Sequence, residues 1–372
     1  MMHFDHVHFY VTNAKASRDW FIDKLGFQSL GCVTNPDTHT EILQQGAVDF
    51  LLSSPVTAVS PVAEYLHQHP PGVVDVAFQV EDVEAAAEQM IAEGVKIIQP
   101  IQQYSDENYL LKWFVIVGWG GLHHTLVERR NHPDWKWLTH IPFAIPHSSI
   151  PSSIIGIDHV VLNVEAGDLQ AAINWYQRVL KFLPQQAFDI QTKRSGLQSQ
   201  VLVNQQNNVK FPINEPTSNN SQIQEFLDFN RGSGIQHIAL ITNNIIETVA
   251  DLRQKGLAFI SVSPHYYNQL QQKLHENLSR EDWQKIQEYK ILIDFPHSQS
   301  MLWQIFTQPI FDEPTFFLEF IERKITLVNK NPVEAEGFGE GNFQALFEAI
   351  EQEQIKRNKY SRSQETGDRR QN

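Results

Sequence analysis

IDHVVLNV, Ile157 to Val164, restates FDHVHFYV, Phe4 to Val11, and through that restatement the chain reads as two copies of one domain. Both stretches have the alternation and the β-branched and aromatic content of a half-buried strand. The segments downstream of each repeat as well. WFIDKLGF (Trp20 to Phe27) is answered by WYQRVLKF (Trp175 to Phe182), and GVVDVAFQVEDV (Gly72 to Val83) by GIQHIALITNNI (Gly234 to Ile245). EGVKIIQP (Glu93 to Pro100) is answered by KGLAFISVSP (Lys255 to Pro264). A period far longer than that of a solenoid means duplicated domains.

Local patterning fills in each copy. Ala14 to Leu25 has helical spacing with Trp20 and Phe21 on its apolar side, and Gly26 stops it. VEAAAEQMIAEG is a strong helix ending at Gly94, while GAVDFLLSS, WFVIVGW and HHTLVERR are short strands. The predicted fold is α+β: two homologous halves, each a pair of βαβββ modules, plus a C-terminal helix beginning near Asn342. Residues 1–130 form the first half, and residues 131–153, with Pro133, Pro142, Pro146 and Pro151, the linker. Residues 154–355 form the second half, interrupted from Tyr266 to Tyr289 by a helical insertion rich in Gln, Glu and Lys. Residues 356–372, charged and poor in apolar side chains, read as a disordered tail.

A chain of 372 residues that is 41% hydrophobic can bury two cores. Its net charge of −14 argues against nucleic acid or an anionic membrane as partner. No apolar run reaches the roughly 18 residues of a membrane span, and MMHFDH lacks the regions of a signal peptide, so a cytoplasmic protein is expected. Cys32 is the single cysteine, which excludes an internal disulfide and predicts no thiolate metal centre.

Three strand-like runs of the second half each carry one ligand-type residue: His159 in IDHVVLNV, His237 in GIQHIAL and Glu319 in FFLEFIER. A lone histidine in such a run is commonly a hydrogen-bonded core residue. An ionised glutamate there is harder to explain, because its burial costs several kcal/mol unless a charge or metal answers it. Glu322 has the opposite strand parity and is predicted to face solvent. Two imidazoles and one carboxylate, with half the coordination sphere open, are the ligand set of non-heme Fe(II) oxygenases, provided that the three strands converge. In the first half the repeat puts His6, Asp75 and Glu128 near the three positions, but a harder, oxygen-rich trio suits Fe(II) less well, so metal is expected in the second half only.

Over nearly all of residues 155–355 the chain resembles the 4-hydroxyphenylpyruvate dioxygenase family of the vicinal oxygen chelate superfamily. The resemblance rests on KFPINEP (Lys210 to Pro216), SQIQEFLDFNRGSGIQHIAL (Ser221 to Leu240), LWQIFTQP (Leu302 to Pro309), DEPTFFLEFIER (Asp312 to Arg323) and GFGEGNFQALF (Gly337 to Phe347). The first half matches in architecture, HHTLVE (His123 to Glu128) being its best segment. The resemblance implies that His159, His237 and Glu319 hold one Fe(II) per chain, the same trio that the residues suggest. It also implies a pocket with Ser199, Asn214, Gln222, Gln236, Gln304 and Asn342 as polar groups and Pro212, Phe306, Phe317, Phe338 and Phe343 as apolar walls. Apolar faces and neutral donors suit an aromatic 2-oxo acid with a phenol. The implied reaction is conversion of 4-hydroxyphenylpyruvate and dioxygen to homogentisate and carbon dioxide, serving tyrosine catabolism or prenylquinone synthesis, in a homo-oligomer. The alternatives are 4-hydroxymandelate synthase, which shares ligands and substrate, an extradiol dioxygenase, against which PINEP and GFGEGNF speak, and a non-catalytic binding member of the superfamily.

Overall fold

A computed structural model describes residues 2–105, 109–130, 152–192, 194–273, 278–297, 300–328 and 331–368. The linker assigned to residues 131–153 lies outside the described residues except for its last two positions.

The first half opens with β1 (His3–Tyr10), α1 (Ala14–Leu25), β2 (Gln28–Thr34), β3 (Thr38–Gln45) and β4 (Val48–Pro55), the expected βαβββ order. After a short α2 (Pro61–Gln68) the order recurs as β5 (Gly72–Gln79), α3 (Val83–Ala92), β6 (Ile97–Ser105), β7 (Leu110–Val117) and β8 (His123–Arg130). Capping side chains set the helix starts. Asn13 accepts from the Ala16 amide and Asp82 from the Ala85 amide, while Gly26, at φ 80°, ends α1 in a conformation that glycine adopts without a Cβ penalty. The eight strands form one sheet in the order β2-β3-β4-β1-β5-β8-β7-β6.

The second half repeats this. β9 (Gly156–Asn163), α4 (Leu169–Val179), β10 (Leu183–Gln191), β11 (Gly196–Val203) and β12 (Lys210–Pro216) form its first module, followed by α5 (Gln222–Asn230). β13 (Gly234–Ile241) and α6 (Ile245–Gln254) begin the next, and β14 (Leu292–His297), β15 (Ser300–Phe306) and β16 (Phe317–Arg323) complete it. The strand order, β10-β11-β12-β9-β13-β16-β15-β14, is that of the first half strand for strand. The insertion after α6 is two helices, α7 (Pro264–Lys273) and α8 (Arg280–Tyr289). A hairpin, β17 (Ile325–Val328) and β18 (Asn331–Glu334), which no repeat announces, then leads to α9 (Glu340–Asp368).

α9 corrects the sequence reading at residues 356–368, which continue the helix rather than forming a disordered tail. Low apolar content signals that a segment cannot build a core, yet Lys, Arg, Gln and Glu are good helix formers and can extend a helix already nucleated by packing. No described helix is long and apolar enough to cross a membrane.

One apolar core runs through both halves. Phe9 of β1 meets Phe316 edge-on at 5.3 Å between centroids, and Phe78 of β5 meets Phe182 at 5.8 Å. His124 is fully buried at this junction, its Nδ1 2.9 Å from the Val76 carbonyl and its Nε2 3.1 Å from the Tyr176 hydroxyl.

Candidate active site

The three ligand-bearing strands are neighbours at the centre of the second sheet. β13 lies between β9, antiparallel to it, and β16, parallel to it. Ala239 of β13 stands opposite His159 on one side and Glu319 on the other, and His237 is two residues before it. Paired residues share a face and so do residues i and i+2, so all three ligands project the same way around a residue with no bulk. A separation of about eighty residues between successive ligands in the chain thus becomes one strand spacing.

His159 Nε2 lies 3.3 Å and His237 Nε2 3.5 Å from the same Glu319 oxygen, Oε2. His159 is 3% and Glu319 1% exposed, so the carboxylate is buried among imidazoles, not solvated. Burial alone would raise the Glu319 pKa; His159 first and His237 with it outweigh that and hold it at about 2. Burial likewise pushes His237 down, against Glu319, whereas at His159 the two carboxylates on either side overcome burial and raise it. The donor set of two nitrogens and one anionic oxygen fits a borderline divalent metal such as Fe(II).

Each ligand is held from behind. His159 Nδ1 is 2.8 Å from Asp158 Oδ1, which leaves Nε2 for the metal side. Asp158 accepts two hydrogen bonds from Arg323, at 2.6 and 2.8 Å, which hold its carboxyl well below the usual range despite burial. Arg323 Nη1 also donates to the carbonyls of Ala335 and Gly337. Gln304 Nε2 donates both to Glu319 Oε1, at 2.9 Å, and to the Phe338 carbonyl, at 3.0 Å. Asn342 Nδ2 donates to Gln304 Oε1, and the Tyr266 hydroxyl on α7 donates to Asn342 Oδ1. The segment carrying Phe338 is therefore pinned to the supports of two ligands at once. Gly339 is required there: its φ is +81°, and a Cβ would stand 1.8 Å from Gln304 Oε1.

The trio opens onto a cavity of about 80 Å³. Ser199, Pro212, Asn214, Gln222, Gln236, Phe306, Phe317, Phe338 and Phe343 all line it. Gln304 and Asn342 are brought to the site but not into its wall; they back Glu319 instead. Phe317 stacks on His237 at 4.8 Å and Phe338 meets the His159 ring at 5.5 Å. Sequence reasoning missed Val161, Phe188, Ile190, Leu197, Val201 and Ile223, lining residues that an apolar strand or helix pattern alone cannot tell from core. It also missed Asp158 and Arg323. These had a signal, since the Asp5–Arg129 pair repeats them, with Arg129 Nε 2.7 Å from Asp5 Oδ2.

In the first half the trio does not assemble. The register places Asp75 opposite His123 as it places His237 opposite Phe317, so the counterpart of Glu319 is Thr125, not Glu128. Thr125 donates from its amide and its hydroxyl to Asp75, occupying both carboxylate oxygens. Glu128 instead accepts from the Val83 amide at the start of α3, as Glu322 accepts from Ile245 at the start of α6. Glu322 is accordingly 6% exposed, a buried helix cap and not the solvent-facing residue its parity suggested. Among the described residues, only Cys32/His39/Glu41 and Asp82/Glu84/Glu128 also cluster closely enough to share an ion.

Comparison with known proteins covers nearly the whole chain. Residues 1–143 match the family model described as hydroxyphenylpyruvate dioxygenase, N-terminal, and residues 156–274 that of the glyoxalase/bleomycin resistance protein/dioxygenase superfamily. A 4-hydroxyphenylpyruvate dioxygenase of Caenorhabditis briggsae is 37% identical over 95% of this chain and 92% of its own length. That of Dictyostelium discoideum is 36% identical over 94% and 98%. An uncharacterized protein of Synechocystis is 35% identical over 94% and 97%. A solved mutant of 4-hydroxymandelate synthase from Streptomyces coelicolor superposes with a TM-score of 0.79 over 95% of this chain and 98% of its own, at 22% identity, which establishes likeness of fold.

Proposed function

The chain belongs to the 4-hydroxyphenylpyruvate dioxygenase family, and from that premise we propose that it converts 4-hydroxyphenylpyruvate and dioxygen to homogentisate and carbon dioxide, with one Fe(II) per chain held by His159, His237 and Glu319. The observation that carries this reading is a two-imidazole, one-carboxylate trio, with His159 and Glu319 buried, in the wall of a cavity otherwise lined largely by aromatic and aliphatic side chains.

The residues divide the work. His159 and His237 offer neutral nitrogens and Glu319 an anionic oxygen, so a divalent ion held there would keep a residual positive charge facing the cavity. No lysine or arginine is among the described lining residues, so the substrate's carboxylate has no protein cation to pair with. Bound Fe(II) would supply that charge and the activation of dioxygen. Phe317, Phe338, Phe306 and Pro212 give the ring apolar faces and exclude water. Gln222 Oε1 is buried without a hydrogen-bond partner, an unmet acceptor suited to the phenolic hydroxyl. Ser199, Asn214 and Gln236 supply further neutral polar groups.

Oxygen uptake with 4-hydroxyphenylpyruvate, followed by chromatography of the aromatic products, tests the reading. Stoichiometric homogentisate is expected. Mainly 4-hydroxymandelate would overturn the assignment of the reaction, and absence of uptake from iron-loaded protein would overturn the assignment as an enzyme.

A further inference from the structure

The one thiol of this chain is not isolated in space. β2 and β3 pair antiparallel with Cys32 directly opposite Glu41 and Thr34 directly opposite His39. The two-residue period of a strand puts all four side chains on one face of the hairpin. An irregularity in register between Ser29 and Gly31 decides this. Without the extra residue Cys32 would stand opposite Thr40, whose side lines the concave cavity of the first half; with it, Cys32 shares the face of Glu41. One ligand atom from each of Cys32, His39 and Glu41 then lies within 4.8 Å of the other two.

The details suit a metal. His39 Nδ1 is 2.7 Å from Thr34 Oγ1 and its Nε2 2.8 Å from Glu41 Oε1. Without an ion, Nε2–H donates to Glu41 and the Thr34 hydroxyl to Nδ1; with the ring proton moved to Nδ1, where the Thr34 oxygen accepts it, Nε2 is freed as a metal ligand beside the carboxylate. Glu41 is 1% exposed, and His39 and Arg18 are the partners that answer its buried carboxylate without an ion. Arg18 reaches it with one contact of 3.2 Å, but the same guanidinium makes two shorter ones, 2.8 and 2.9 Å, to Asp19. Nor does the fold ask for this set. In the second half, where Ala187 pairs with Gln200 and Asp189 with Gln198, the positions of Cys32, Glu41 and His39 hold Ala187, Gln200 and Gln198.

We propose that Cys32, His39 and Glu41 form a second metal site, separate from the catalytic trio, that takes a thiophilic divalent cation of the zinc type. This reverses the expectation that a chain with one cysteine has no thiolate centre. Thiolate, imidazole and carboxylate together favour zinc over magnesium or calcium, and three protein ligands leave a fourth position to water. Binding releases the thiol proton to solvent, so affinity rises with pH. Zinc bonds of about 2.0–2.3 Å at tetrahedral angles put ligand atoms roughly 3.3–3.7 Å apart, so His39 Nε2 and Glu41 Oε1, now 2.8 Å apart, must open slightly to admit the ion, a shift within reach of side-chain rotation, with Arg18 left on Asp19.

Because Cys32 is the only cysteine, a dithiobis(nitrobenzoate) reagent reads this site and no other. The experiment uses the full chain, and again the full chain with His237→Ala so that the catalytic trio does not compete. Zinc at ten times its dissociation constant is expected to slow modification of Cys32 by about tenfold, magnesium not at all, and a chelator to restore the rate. Cobalt(II) is expected to give a thiolate-to-metal charge-transfer absorption. His39→Ala and Glu41→Gln, each checked for native circular dichroism, should lose the protection; if Glu41→Gln does not fold, His39→Ala decides. An unchanged modification rate under zinc, or protection that survives His39→Ala, overturns the proposal.

Discussion

At the scale of single residues, the two halves provide a control that few sites offer. Arg323 clamps Asp158, which orients His159; Arg129 clamps Asp5, which contacts His6 at 2.7 Å, with no ligand trio beyond. Both arginines belong to buried ion pairs, so Arg323→Met and Arg129→Met should cost similar stability, several kcal/mol each, by leaving an aspartate unpaired. Only Arg323→Met should weaken iron binding, by about tenfold to a hundredfold, since partners behind a ligand tune affinity on that scale. Iron titration of the two folded variants checks this, and equal losses would mean that the clamp is structural only. Phe338 sets a different quantity. Its ring borders both His159 and the substrate cavity, and displacements of about 1 Å decide which carbon of a bound substrate lies nearest the reacting centre. Phe338→Val and Phe338→Ile are expected to divert part of the product from homogentisate to 4-hydroxymandelate on chromatography; loss of rate with homogentisate as the sole product would remove Phe338 from that role.

Among the elements, α9 matters most to turnover. Phe343, Leu346, Phe347 and Ile350 recur at helical spacing and all line the cavity, so the helix is one of its walls. The helix thus helps to close the substrate cavity from water. Its N-terminal approach is tethered to Gln304 and Arg323, and its body to the rest by Ser195 and Thr192 on Glu351 and by Arg357 on Glu225 at 2.6 Å. Truncation after Arg357 keeps every one of these ties and is expected to leave kcat and KM within about twofold of the parent, whereas truncation after Arg323 should abolish turnover. Substantial activity in the shorter chain would refute the need for this wall. The stripe was legible in the sequence because helical periodicity survives without context. The β17–β18 hairpin was not, having no repeat and little patterning, and residues 356–368 misled because composition reports the lack of a core and not the propensity to continue a helix.

For the whole molecule, duplication made the fold readable, since the same βαβββ order is stated four times and the ligands sit inside stretches too apolar to hold an unanswered charge. Duplication also produced the main error. Glutamate recurs at 128 and 322 because both halves must cap a helix, while the metal-facing position changed from Glu319 to Thr125, a distinction of strand register that spacing does not carry. How the halves join was likewise hidden, because aromatic residues look alike whether they fill one half or the seam between two. That seam has a measurable signature. His124 is enclosed by Phe78, Trp175, Tyr176 and Phe211, and burial lowers its pKa to about 4 from an ordinary 6.5, the Val76 carbonyl opposing. Burial lowers His8 to about 4 as well. A histidine that resists protonation in the folded state binds fewer protons than in the unfolded chain once pH falls below 6.5. Its contribution is therefore fully present above that pH and is lost as pH falls toward 4, at up to about 1.4 kcal/mol per pH unit. Between pH 7 and pH 5 each of the two should remove roughly 2 kcal/mol. His124→Phe cannot titrate and keeps an aromatic ring in the seam, so it should lose hydrogen bonds at pH 7 yet fall less steeply with acidification. Urea midpoints of the parent and the variant at the two pH values measure the difference, and parallel declines would show that His124 is not held neutral at the junction.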